Sequence, residues 1–372
     1  MTDIPPDLLP EGFRDRLPPQ AEAAVRVSRA MLDVMASHGY ARVSPAIAEF
    51  ESSLAARSGG ATRNSLLRFT DPVSGHTLAL RGDITVQVGR IATTRMADTP
   101  RPLRLCYHGQ ILRLRARQLR PEREITQLGA ELVGNESVAA VIEILTVAID
   151  ALEAAEVKDI TLDFTLPDLV ETLAAGAFPL AADQIDAVRG ELDMKDAGGL
   201  SALGADAYLP LLAATGPFAE AVEKLRAIDA GGALASRITA LHEIAAALEG
   251  RATLTLDPTE RHGFEYQSWF GFTLFAKGFT AALGRGGTDA IAKPDGGEEV
   301  AIGFSLFPDP LIDAATEDTE NRRMFLPLGT LPAKAAQMRA EGWITVAALS
   351  VDDSAETLAC GYILENGRAE PV

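Results

Sequence analysis

Cysteine is nearly absent. Cys106 and Cys360 are the only two in 372 residues, each inside an apolar strand-like segment, which excludes a disulfide scaffold and reads as reduced thiols in the cytoplasm. The five histidines, His38, His76, His108, His242 and His262, form no paired spacing that would hold a metal. No Gly-x-x-x-x-Gly-Lys loop is present to cradle a phosphate. No apolar run approaches the length that crosses a bilayer, so no membrane role is expected. Pro5, Pro6 and Pro10 break any helix at the start, and a signal peptide is not expected there. Positive charge is also scarce: 34 Lys and Arg stand against 52 Asp and Glu, a net charge of −18. Such a field repels phosphate backbones, which lowers the expectation of nucleic-acid binding without settling it.

What is present is core-forming material, 47% apolar and 23% charged, enough for one large domain with accessories. A turn-rich lead-in, Leu9-Pro10-Glu11-Gly12-Phe13-Arg14-Asp15, precedes Pro18 and Pro19. The apolar stripe Val27, Ala30, Met31, Val34 and Met35 predicts a helix over about residues 20–37, closed by Gly39. A strand ending at Pro45 follows. Between residues 66 and 132 the pattern alternates. If extended, the chain places Arg81, Asp83 and Thr85 on one face, and Gln127, Gly129 and Glu131 on another strand's face opposite Leu128, Ala130 and Leu132. Such a polar face is either a ligand surface or the solvated side of an antiparallel sheet. A helical period over residues 138–157, with Asn135 as its cap, predicts a second long helix. The Ala- and Leu-rich stretch from about 168 to 250 reads as an inserted helical subdomain. Strands near residues 253–256 and 266–276 come next, then a loop containing Gly284, Gly286, Gly287, Gly296 and Gly297. The last fifty residues read as a strand, helix, strand unit too small for a complete α/β domain.

Three ordered segments carry a resemblance: Leu80-Arg81-Gly82-Asp83-Ile84-Thr85, then Gln110 through Arg113 to Glu124-Ile125-Thr126-Gln127-Leu128-Gly129-Ala130-Glu131, then Arg261-His262-Gly263-Phe264-Glu265-Tyr266. Over roughly residues 8–312 the chain resembles histidyl-tRNA synthetase, a class II aminoacyl-tRNA synthetase. The resemblance implies an α+β fold: an antiparallel sheet flanked by helices over residues 1–322, with the helical insertion, and a truncated C-terminal α/β unit over 323–372. It also implies a site for free histidine. Asp83, Thr85 and Gln127 match positions that hold the ammonium, Glu131 and Tyr266 those that address the ring, and Arg261 one near the carboxylate, with Arg113 in the second motif completing the set. The chemistry agrees, since histidine brings donors that need acceptors and a carboxylate that needs a cation.

The departures from the family pattern matter as much. Adenylation needs cations at the ATP phosphates. Yet the stretch Ala301 to Pro310 holds no arginine, with Leu306 standing where one is expected, and Gly287-Thr288-Asp289 replaces the usual Arg-Tyr-Asp. Fewer than fifty residues follow Met324, against the ~100 of a complete anticodon module. This combination resembles the family's regulatory branch, which accompanies the short form of catalytic ATP phosphoribosyltransferase. It implies a cytoplasmic chain with no activity, cofactor, metal or tRNA of its own. It further implies a homodimer core within a hetero-oligomer with that catalytic subunit, and L-histidine as effector. The rival reading is an active histidyl-tRNA synthetase or another amino-acid-adenylating ligase.

Overall fold

The computed structural model describes residues 8–57, 66–115, 121–229, 231–261, 267–314 and 322–372. Contacts divide the chain into two compact units, Met1–Ala315 and Thr316–Val372.

The first unit begins with α1 (Gln20–Ser37), whose buried residues Ala23, Val27, Met31, Leu32 and Met35 recur at the predicted spacing. Gly39, at φ +85°, closes it with its N–H donating to Ala36, as the left-handed position after a helix requires. Then follow β1 (Ala41–Val43), β2 (Ala48–Phe50), α2 (Glu51–Arg57), β3 (Arg68–Thr70), β4 (Thr77–Leu80), α3 (Thr85–Thr94), β5 (Leu103–Leu112), β6 (Glu124–Val133) and α4 (Val138–Ala154). The cap of α4 is Ser137, whose hydroxyl accepts from the Ala140 N–H at 3.4 Å, and not the expected Asn135. Asn135 instead accepts from the Ser137 N–H at 2.8 Å, fixing the turn one step earlier.

Next come β7 (Ile160–Thr165) and a helical region comprising α5 (Leu169–Ala174), α6 (Ile185–Asp193), α7 (Ala197–Ala202), a 3-10 helix Asp206–Ala213, the short β8 (Gly216–Pro217), α8 (Phe218–Ile228) and α9 (Ala235–Ala247). The unit finishes with β9 (Thr253–Leu256), β10 (Gln267–Ala276), β11 (Gly284–Ala292), β12 (Glu298–Leu306) and α10 (Asp309–Asp313).

Nine strands make one sheet in the order β1-β5-β6-β12-β11-β10-β7-β9-β8. The six central strands are antiparallel, whereas β1 joins β5 and β9 joins β7 in parallel. The sheet is therefore mixed at its flanks, where the chain returns by longer connections. One face packs against α1 and α4, burying Leu128, Ala130, Leu132, Ile144, Ile302, Phe304 and Leu306 in the main core. The other face carries α3, whose Val88 and Ala92, with Ile84 just before it, cover Leu105, Ile125, Val133 and Ala301. Each of the Val, Leu and Ile side chains contributes about 1.5–3 kcal/mol when fully buried. This second core fixes α3, and with it the segment before α3, against β5 and β6.

Two expectations are corrected here. The stretch carrying Arg81, Asp83 and Thr85 is not extended: β4 ends at Leu80 and α3 starts at Thr85. Gly284, Gly286 and Gly287 are not in a loop but in β11. A side chain at Gly286 would strike the Phe272 ring and the Gly303 carbonyl, so close packing of neighbouring strands, not turn geometry, selects glycine.

The lead-in is tied down. Arg14 pairs with Asp313 at 2.6 Å, Arg16 pairs with Asp309 and donates to Thr126 Oγ1 at 3.2 Å, and the Thr126 N–H donates to Asp309 at 3.0 Å.

The second unit is a four-stranded sheet in the order β14-β13-β15-β16, from β13 (Arg323–Leu326), β14 (Ile344–Ala347), β15 (Tyr362–Glu365) and β16 (Arg368–Pro371), with α11 (Pro332–Ala340) between the first two strands. Met324, Leu326, Ala335, Met338 and Leu364 form its main core. Among the described residues no helix is long and apolar enough to cross a membrane.

Candidate ligand site

The face of the large sheet that carries α3 also carries the polar residues. Strand register aligns Tyr107 with Gly129 and Ser305, and Leu105 with Glu131, Gly303 and Gly287. Because these residues are cross-strand partners they share one face, and glycine recurs on it at 109, 129, 287 and 303. The glycines leave room that side chains elsewhere on the sheet would fill. A methyl at Gly303 would land on the Glu131 carboxylate, one at Gly129 on the Phe304 carbonyl and the Tyr107 hydroxyl, and one at Gly109 on the Arg81 guanidinium.

Into this space the segment before α3 delivers Asp83 and Thr85. Asp83 Oδ1 accepts from the Thr85 N–H at 2.8 Å and from Gln127 Nε2 at 3.0 Å. The Gln127 carboxamide is fixed at both ends: its oxygen accepts from the Ile84 N–H at 3.0 Å, and its nitrogen also donates to Ser305 Oγ at 2.8 Å. The Thr85 and Ser305 hydroxyls each lie 2.9 Å from the Tyr107 hydroxyl, and those of Thr85 and Tyr107 also bond to Glu131. A set so fully cross-linked holds its acceptors in place before any ligand arrives.

Its electrostatics are one-sided. Glu131 is held far above the usual carboxylate range, first by burial and then by the negative charges of Asp289 and Asp83. Asp289 is pushed up to about 6, mainly by burial, with Asp83 adding to the effect. Burial likewise drives the Tyr107 phenol well above its ordinary value. None of the three carboxylates forms an ion pair with a described residue. Three acidic groups facing one space with no ion-paired cation are costly unless protons or a cationic ligand neutralise them.

Titration of Asp289 should be visible in stability. Its folded value lies above its unfolded value of 3.8, so the stability it contributes is complete below about pH 4 and is lost as pH rises through about 6. Urea unfolding of Asp289→Asn should show a smaller decline across pH 4–6 than the wild type. Superimposable pH profiles would contradict the assignment.

Of the seven residues expected from sequence, Asp83, Thr85, Gln127 and Glu131 are brought together. Tyr266 lies outside the described residues. Arg113 sits where β5 ends, its backbone exchanging bonds with Arg123: its N–H donates to the Arg123 carbonyl at 2.8 Å and its own carbonyl accepts from Arg123 Nε at 3.0 Å. Arg261 is placed against α6. Its N–H donates to Asp193 at 2.8 Å, its guanidinium is 4.0 Å from Asp186, and it lines a separate small cleft with Leu166, Val170, Arg189 and Leu192. None of its ion pairs among the described residues reaches the cluster. Arg81 is a clamp for backbone rather than a ligand group, donating to the carbonyls of Gln110 at 2.7 Å and Pro45 at 2.9 Å.

Sequence reading missed Tyr107, Ser305 and Asp289 as members of the site. Tyr107 and Ser305 were findable only through register, because the small partner Gly129 that accommodates them is distant in sequence. Leu306 also needs correction: it is wholly buried in the core on the opposite face, so an arginine there would not reach the site. The absence of arginine throughout Ala301 to Pro310 remains.

Residues 12–311 match the family model for histidyl-tRNA synthetase. A protein of Rhodospirillum centenum named ATP phosphoribosyltransferase regulatory subunit is 40% identical over 386 aligned residues, covering 100% of this chain and 99% of that one. A protein of the same name from Paramagnetospirillum magneticum is 42% identical, covering 92% and 90%. Among solved structures, one from Bacillus halodurans described as an ATP phosphoribosyltransferase regulatory subunit/histidyl-tRNA synthetase superposes with a TM-score of 0.83 at 22% identity, covering 96% of this chain and 97% of the other. A histidyl-tRNA synthetase from a Nostoc species gives 0.79 at 14% identity, covering 96% and 90%. At these identities the structural likeness speaks to fold.

Proposed function

From the premise that this chain belongs to the family of ATP phosphoribosyltransferase regulatory subunits, built on the class II synthetase fold, we propose that its carboxylate-rich pocket is a receptor for L-histidine. In this reading the chain has no activity of its own. It assembles in the cytoplasm with a short-form catalytic subunit that joins ATP to phosphoribosyl pyrophosphate at the start of histidine biosynthesis, and it conveys feedback inhibition by the end product.

The observation that carries the reading is the convergence of Asp83, Glu131 and Asp289 without an ion-paired cation. An ammonium and an imidazole N–H supply the positive charge and donors that these acceptors lack. Gln127 and Thr85, already oriented, set the position of the amine. Regulation then requires histidine to favour one state of the complex over another, by a coupling of roughly 1–3 kcal/mol. The homodimer is proposed to form along β1, the outermost strand at one end of the sheet, beside the exposed Ile47 and Phe50. The second unit is proposed to be a reduced counterpart of the family's anticodon module, without tRNA function.

Isothermal calorimetry of the full chain should give heat with L-histidine and none with ATP. Silence with histidine would sink the receptor. The match to histidyl-tRNA synthetase keeps adenylation as a second reading, to be tested by histidine-dependent exchange of pyrophosphate into ATP. Such exchange would overturn the noncatalytic assignment.

A further inference from the structure

The acceptors described so far serve the cationic ends of an amino acid and leave its carboxylate without a partner. Arg261, the residue expected to meet it, stands instead against Asp186 and Asp193 of α6. A further arginine is carried by the pocket face itself. Arg285 on β11 is the cross-strand partner of Ser305, in the row that continues through Gly129 to Tyr107. It is half-buried, and none of the side-chain hydrogen bonds or ion pairs among the described residues involves its guanidinium. The adjoining row is Glu131, Gly303, Gly287 and Gly271, so no side chain rises from the three positions that follow Glu131 across the sheet. Arg285 is two strands across and two residues along from Glu131, a Cα separation of about 12 Å at ordinary sheet spacings. The Glu131 carboxylate leans over Gly303, and Arg285 stands on the next strand two residues along from Gly287, so an acidic and a basic residue border the same glycine floor.

Resting on the reading of the pocket as a histidine receptor, we propose that Arg285 binds the ligand's carboxylate and thereby sets the preference for the amino acid over analogues that lack that group. Ring and amine fall to the acidic side of the site, while the carboxylate meets the guanidinium in a charge-assisted pair. Asp289, further along the same strand, then faces the cationic end.

The test measures binding of L-histidine and of histamine, which has the ring and amine but no carboxylate, to the full chain and to Arg285→Gln and Arg285→Lys. The wild type should prefer L-histidine. Arg285→Gln should weaken L-histidine about 10- to 100-fold while leaving histamine within about threefold, since a hydrogen bond to a charged group is worth about 1.5–3 kcal/mol. Arg285→Lys, which keeps the charge but not the fork, should restore part of the loss. Equal weakening of both compounds, or no change in either, with thermal stability retained, would overturn the assignment of Arg285. A wild-type chain that binds neither compound would instead remove the pocket reading, and this inference with it.

Discussion

Replacing Glu131 by glutamine should abolish histidine binding and, at the same time, raise the melting temperature of the unliganded protein. Both effects have one cause. Glu131 is ringed by the hydroxyls of Thr85 and Tyr107, and its burial, with the negative charges of Asp289 and Asp83 adding to it, holds its carboxyl far above the usual range. With a folded value raised above the unfolded one, its contribution to stability is greatest below the unfolded value and is lost as pH rises through the folded one. Near neutrality it is therefore a burden on the empty protein. Glutamine has the same shape, keeps an acceptor and needs no proton, so the fold should gain about 1–2 kcal/mol. For a chain of this length that is a rise of roughly 1–3 °C. In the proposed receptor, however, L-histidine would lose the charge assigned to its imidazole, and affinity should fall by about 100-fold or more. Calorimetry paired with thermal melts separates the outcomes. Binding retained within a few-fold would remove Glu131 from the receptor, and an unchanged or lower melting temperature would contradict its electrostatic cost.

How far the sequence disclosed this site depends on which interaction decided each element. Local rules sufficed for α1, where the apolar stripe and Gly39 mark both the buried face and the end. They sufficed for β6, where alternation assigned Gln127, Gly129 and Glu131 to one face and Leu128, Ala130 and Leu132 to the core. They failed where tertiary packing overrode local preference. The glycines of β11 read as a loop because their reason, the Phe272 ring and the strand beside them, is not local. Arg285 escaped notice for the same reason: only the pairing of β11 with β12 places it next to Ser305. One local signal does mark the last hairpin. Asn366 and Gly367, at φ 47° and 78°, form the two-residue turn joining β15 to β16, and an Asn-Gly pair is the turn signal of such a hairpin. The roles proposed for Asp83, Thr85, Gln127 and Glu131 come from the family resemblance, since alternation alone leaves such a face divided between a ligand surface and a solvated one.

The glycine floor should tolerate almost nothing, and Gly129 least of all. A methyl group there would meet the Phe304 carbonyl on one neighbouring strand and the Tyr107 hydroxyl on the other. Neither can yield cheaply: the carbonyl belongs to the paired backbone of β12, and Tyr107 is completely buried, so its ring has nowhere to swing. Either β6 and β12 separate, or Tyr107 leaves Thr85 and Ser305 and releases the hydroxyl set that orients Glu131. Gly129→Ala should therefore cost about 3 kcal/mol of stability, at the upper end of overpacking effects. It should also weaken L-histidine binding by more than tenfold in whatever folded protein remains. Gly190 provides the contrast, because it lies in α6 with open space where its methyl would go. Gly190→Ala should stabilise the chain by about 0.5–1 kcal/mol through helix propensity, leaving histidine affinity unchanged. Denaturant melts of the two variants should thus move in opposite directions. If both alanines were tolerated equally, the approach of Tyr107 and Phe304 to Gly129 would not be tight enough to shape the site, and the floor would have to owe its glycines to something other than packing.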